Sequence, residues 1–136
     1  LQLSFKEEGL VGGMAINMGN PHVVFFCKNI DNIDLKTIGP KIENHSLFPD
    51  RTNLEIVQLI SKTKLKVKVW ERGSGITLSC GSGALASFYS AYKLGLCDKK
   101  IVSFLPGGEV LIALIDKNKL KMTGKVEVSY FGEFIL

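Results

Sequence analysis

The stretch ERGSGITLSCGSGALAS, residues 71–87, sets the frame for the rest of the chain. A short apolar strand, ITLS, runs into Cys80, and small residues then open a helix over about 81–94, with Gly95 as its stop. That helix carries Ala84, Leu85, Ala86, Phe88, Tyr89, Ala91, Tyr92 and Leu94. Apolar residues on nearly every side mark a helix enclosed by other elements. A thiol at its N-terminus faces unpaired backbone N–H groups and the positive end of the helix dipole. Both favour the thiolate and predict a pKa below the free value of about 8.5. The same amides can hold a carboxylate beside the sulfur. The residues alone also fit a second reading, in which Cys80 is a small buried hydrophobe at a strand end.

Working outward, the segments on both sides read as strands. MAINM (14–18) ends in the turn Gly19-Asn20-Pro21, and His22 leads into VVFFC (23–27). Residues 34–44 read as helical with Asp34 as N-cap, and Gly39-Pro40 is expected to break that helix in two. HSLFPDRTN (45–53) is a loop, followed by strands NLEIVQLI (53–60) and KLKVKVWE (64–71). After the helix come KIVSFL (100–105), the turn Pro106-Gly107-Gly108, EVLIALI (109–115), KLKM (119–122) and VEVSYF (126–131), all strand-like. Many strands and one enclosed helix predict an α+β domain whose curled, mostly antiparallel sheet or barrel surrounds a central buried helix.

Composition narrows the function classes. At 136 residues the chain fits a single domain over 1–136, and 46% hydrophobic with 22% charged residues is ordinary for a globular protein. The apolar runs VVFFC and VLIALI (110–115) fall far short of the ~20 residues of a membrane span. The net charge of +4 is spread out. Its densest stretch, SKTKLKVKVW (61–70), alternates lysines with apolar residues, as a half-buried strand does, rather than forming a nucleic-acid stripe. Neither a membrane nor a nucleic-acid partner is expected. Three scattered cysteines, Cys27, Cys80 and Cys97, form no CxxC pair, which suits a reducing cytoplasm and argues against a disulfide framework or a zinc site. The chain opens at Leu1, as though cut from something longer.

Several other residues carry chemistry. Glu71-Arg72 offers an anionic acceptor and a bidentate cationic fork, which together suit a zwitterionic amino acid; on its own, such a dipeptide is more often a solvated strand-end ion pair. Gly81 lets a ligand approach the backbone and Ser82 adds a hydroxyl. Asn20, His22 and Asn53 are polar groups at strand ends that can bind a ligand or simply shape their turns.

In this order, MGNPH (18–22), GPKIENHSLFPDRTN (39–53), ERGSGITLSCGSGA (71–84), PGG (106–108) and YFGEF (130–134) resemble the C-terminal half of the diaminopimelate epimerase family. The resemblance implies a cofactor-independent epimerase that interconverts LL- and meso-diaminopimelate for lysine and cell-wall precursor synthesis. It implies a pair of cysteines flanking the α-carbon, of which Cys80 is one. By position, Gly81 and Ser82 would hold the reacting carboxylate, Glu71 the α-ammonium, and Arg72, Asn20 and Asn53 the distal amino-acid end, with His22 supporting the site. No metal is implied.

The departures are specific. The family's other cysteine lies in a CGNG-type motif of an N-terminal domain, and no such motif occurs here; Cys27 stands in FFCKN and Cys97 in GLCDK. Val23 follows the GNPH turn, Ile76 stands where a polar residue is frequent, and Ser82 replaces the usual Thr. The expectation is therefore that this chain is inactive without its missing N-terminal domain, and a homodimer is compatible with it. Two rivals are a related-fold isomerase that uses a carboxylate and a non-catalytic amino-acid-binding domain.

Overall fold

The computed structural model describes residues 2–3, 10–117 and 119–135. Among them nine strands form one sheet: β1 (Gln2–Leu3), β2 (Val11–Asn17), β3 (Pro21–Cys27), β4 (Asn53–Ser61), β5 (Lys64–Glu71), β6 (Gly75–Thr77), β7 (Lys100–Leu105), β8 (Gly108–Asp116) and β9 (Lys119–Gly124). The order is β1-β2-β3-β4-β5-β7-β8-β9, with β6 paired to β5. The β3–β4 and β5–β7 pairs are parallel and the others antiparallel. The fold is the α+β, mostly antiparallel curled sheet read from the sequence.

Two helices cover opposite faces of this sheet. Helix α2 (Gly81–Lys93) packs across β2, β3, β4, β5 and β7. Its core partners are Val24, Phe26, Val57, Leu65, Val67, Val69, Ile101 and Ile112, against Ala84, Ala86, Phe88 and Ala91. The outward residues Leu85, Tyr89 and Tyr92 are half-buried. On the other face, α1 (Leu35–Glu43) and a 3-10 turn at Ile30–Asn32 bury Val23, Phe25, Cys27, Leu54 and Ile56 with Leu35, Ile38 and Ile42. Successive strand residues point to opposite faces, so VVFFC is buried on both sides. That is why it reads as an unbroken apolar run.

Helix α1 corrects one expectation. Gly39-Pro40 does not split it; Pro40 sits inside a continuous helix capped by Asp34, whose side chain accepts from the Lys36 N–H. A proline in a helix interior costs about 3 kcal/mol or more. Burying Leu35, Ile38 and Ile42 against the sheet returns about 1.5–3 kcal/mol each, which outweighs it.

A second correction lies at the C-terminus. VEVSYF forms no strand, and residues 125–135 run on without regular structure. Val126 and Phe131 are each 93% exposed. A strand needs a neighbour to take its N–H and C=O groups, and no described strand pairs with this one. The ITLS strand is also shorter than expected, since pairing with β5 ends at Thr77. Among the described residues no helix is long and apolar enough to cross a membrane.

The lysine alternation of β5 is as read from sequence. Leu65, Val67 and Val69 are buried, while Lys66 and Lys68 turn to the Asp31 carboxylate at 2.8 and 3.2 Å.

Candidate active site

The site forms where the starts of β3 and β4, the end of β5 and the head of α2 meet. Gly19 adopts φ +101 in the β2–β3 turn, a conformation glycine reaches without strain, and so presents Asn20 ahead of β3. His22 pairs in parallel register with Asn53, and one alternation further along β4 lies Glu55. Glu71 ends β5, and Arg72 follows it into the turn.

Cys80 is the N-cap of α2, with extended backbone at φ −142, ψ 108. The Gly83 N–H donates to its sulfur at 3.3 Å, and the Ser82 hydroxyl lies 3.6 Å away. The Gly81 and Ser82 amides belong to the first turn, so no helical carbonyl stands behind them. Gly83 is required by space as well: a Cβ there would lie 2.8 Å from Glu55 Oε1 and 3.2 Å from Cys80 Sγ. Cys80 is half-buried, whereas Cys27 and Cys97 are buried in the two cores.

The expected low pKa of Cys80 is not what its surroundings produce. Burial pushes the thiol up from its ordinary value. Hydrogen bonds from Ser82 and the Gly83 amide pull it down, and the Glu71 and Glu55 carboxylates add to the rise. The helix terminus contributes as expected, but desolvation of the sulfur is the larger effect. At neutral pH Cys80 is a thiol, the form that gives up a proton rather than taking one.

Ser82 links this sulfur to Asn20, and Asn20 to the buried His22–Glu55 pair. Asn20 Nδ2 donates to Ser82 Oγ at 3.5 Å, and Asn20 Oδ1 lies 2.9 Å from His22 Nε2. His22 Nδ1 lies 2.7 Å from Glu55 Oε1, and both side chains are fully buried. Glu71 accepts from the Thr77 hydroxyl at 2.6 Å. Asn53 works as a clamp: its amide donates to the Pro21 carbonyl at 2.8 Å and accepts from the Arg72 N–H at 2.8 Å. Arg72 is exposed, and its guanidinium donates to the Asp50 carbonyl at 2.8 Å. It borders an open hollow of about 540 Å³ that Pro21, Phe48 and Asp50 also line.

Two acidic residues escaped the sequence reading. Glu43, at the end of α1, accepts from the Trp70 indole N–H at 2.7 Å, the Gly73 amide at 3.0 Å and the Arg51 guanidinium at 3.1 Å, and so anchors the turn that carries Arg72. Glu55 was hidden inside the buried run NLEIVQLI, where a lone carboxylate among apolar residues was the available signal. No cluster of three or more His, Cys, Asp or Glu side chains among the described residues is placed to hold a metal ion.

A sequence profile described as diaminopimelate epimerase matches residues 14–129. The chain belongs to the diaminopimelate epimerase family. It is 44% identical over 116 residues to the diaminopimelate epimerase of Pelagibacter ubique, covering 85% of this chain and 42% of that relative. It is 42% identical over 122 residues to that of Rippkaea orientalis, covering 89% and 43%. The chain thus spans less than half the length of these curated relatives. Among solved structures it is similar to a phenazine biosynthesis protein of the PhzF family from Bacillus anthracis, with TM-score 0.58 and 18% identity over 81% of this chain and 38% of that one. A putative phenazine biosynthesis PhzC/PhzF protein from Clostridium difficile gives TM-score 0.53 and 19% identity over 69% and 34%. At such identities the likeness concerns the fold alone.

Proposed function

We propose that this chain is the C-terminal half of a cofactor-independent epimerase that interconverts LL- and meso-diaminopimelate, and that Cys80 is one of its two proton-transfer groups. The observation that carries the reading is Cys80 at the head of α2, its sulfur held by the Gly83 amide and Ser82, with Asn20 bonded to Ser82 and the Glu71 carboxylate acting on the thiol.

The reaction needs one base and one acid on opposite faces of the α-carbon. A thiolate on the far face takes the α-proton, and the electron pair left on carbon is delocalised into the carboxylate. The Cys80 S–H then gives its proton to the opposite face, which inverts the centre and leaves Cys80 as thiolate. In the reverse direction the roles exchange. The Gly81 and Ser82 amides stabilise the charge that builds on the carboxylate oxygens. Glu71 holds the α-ammonium, and Arg72 with Asn20 and Asn53 holds the distal amino-acid end, with His22 supporting Asn20.

The second thiol belongs to a further domain, because neither buried cysteine of this chain can reach a substrate at Cys80. The exposed apolar tail of residues 125–135 supports that reading, since its alternating side chains have no core here to enter. The enzyme works in the cytoplasm, in the supply of lysine and peptidoglycan precursors. Membership of the epimerase family and the placed thiol favour this over a carboxylate-using isomerase or a purely binding domain.

The test is incorporation of solvent deuterium at the α-carbon by the intact protein. Cys80→Ala should abolish inversion, and the isolated 136-residue chain should show none. Undiminished exchange in the variant would remove Cys80 from the chemistry.

A further inference from the structure

A hydrogen-bonded chain leads from a buried pair out to the half-buried sulfur: Glu55, His22, Asn20, Ser82, Cys80. Its links measure 2.7, 2.9, 3.5 and 3.6 Å. The direction in which each link donates follows from chemistry. An amide oxygen only accepts, so with Asn20 Oδ1 toward the ring, His22 Nε2 must carry a hydrogen. Nδ1 then either accepts from a protonated Glu55 or, in the imidazolium, donates to a carboxylate. In both cases the pair holds one proton more than a carboxylate beside a neutral imidazole. Glu55 Oε2 is buried and finds no partner among the described residues, which disfavours full charge on that carboxyl.

We propose that Glu55 is a positioning residue: the proton it shares with His22 fixes the Asn20 amide, and through Ser82 sets which way a hydrogen points at Cys80. With the proton present, Asn20 presents its N–H₂ to Ser82, and the Ser82 hydroxyl is free to donate to the sulfur. That arrangement favours the thiolate. When the proton leaves to solvent, His22 keeps its hydrogen on Nδ1, facing the Glu55 carboxylate, and Nε2 is bare. Two acceptors then face each other across 2.9 Å, so the Asn20 amide turns over. Its oxygen now faces Ser82, whose hydrogen follows it and leaves the sulfur.

Burial pushes the Glu55 carboxyl up to about 7 against the pull of His22, with the Glu71 charge adding to the rise. The titratable groups facing it are His22 from β3, Glu71 at the end of β5 and Cys80 at the head of α2. Beside it also stand Gly83 of α2 and its apolar register partners, Val24 on β3 and Val69 on β5.

The inference uses the epimerase reading only to make Asn20 a substrate contact, so the test has an arm independent of it. Ring-¹⁵N-labelled histidine in the intact protein is followed by NMR from pH 5.5 to 9. His22 Nε2 should be protonated at the acid end and lose its hydrogen to the Nδ1 tautomer as pH rises through neutrality. A bare Nε2 throughout, or one protonated throughout, overturns the proposal whatever the enzyme does. In the second arm, KM for diaminopimelate should rise about tenfold or more over the same range. Glu55→Gln, whose amide donates to Nδ1 without titrating, should flatten both the NMR transition and the KM profile. An unaltered KM profile in a folded Glu55→Gln protein would also overturn it. If wild-type protein shows the tautomer change but never turns over diaminopimelate, the proposed substrate fails and the positioning role stands.

Discussion

Replacing Gly39 by alanine should destabilise the protein, although in most helices the same change stabilises. In an exposed helix interior alanine is favoured over glycine by about 1 kcal/mol. Here the Gly39 backbone rests on the Trp70 indole: a Cβ would overlap Cδ2 and stand 2.7 Å from Cγ. The indole cannot simply slide away, because its N–H is bonded to the buried Glu43 carboxylate at 2.7 Å. Overpacking costs about 1–3 kcal/mol. Losing a hydrogen bond to a charged group adds about 1.5–3 kcal/mol. Set against the propensity gain, the net loss is about 1.5–5 kcal/mol. With a urea m-value of about 2 kcal/mol/M, the unfolding midpoint should fall by roughly 0.8–2.5 M. Trp70 fluorescence should report a more exposed ring. Because Glu43 also holds the Gly73 amide, the turn bearing Arg72 should loosen and KM should rise. A midpoint that stays put or increases would refute the reasoning, since propensity would then have outweighed the clash.

Two further outcomes follow from the site. Cys80 should alkylate with iodoacetamide slowly at pH 7 and faster through pH 9 and above, because burial raises its pKa and thiolate appears only as pH climbs past the ordinary thiol value; a reactivity plateau reached below pH 8 would contradict this. Asn53→Ala should cost about 2–3 kcal/mol in chemical denaturation, leaving the Pro21 carbonyl and the Arg72 amide without their partner, and should weaken substrate binding more than it lowers kcat.

Much of the fold was legible locally. The alternation KLKVKVWE marks β5 to the residue, and the small residues after Cys80 mark the head of α2. Both depend on side chains a few positions apart. The sheet brings Asn20, His22, Asn53 and Glu71 near one another, because the turn before β3, the start of β4 and the end of β5 are neighbours in it. The signals that misled were also local. Proline predicts a break in α1 only if nothing else holds the helix, and alternation predicts a strand at 126–131 only if another strand lies beside it.

The sequence by itself determined that this chain has a thiol at a helix N-terminus beside an acid–arginine pair. Dipole, cap and spacing are properties of a short stretch of chain. Only the tertiary structure decided how that thiol behaves. Its pKa reflects how much water the fold removes from the sulfur, and desolvation outweighs the local donors. The His22–Glu55 pair joins residues 33 apart in the chain. Pairing and burial across such separations arise from the packed sheet, and no window of sequence contains them.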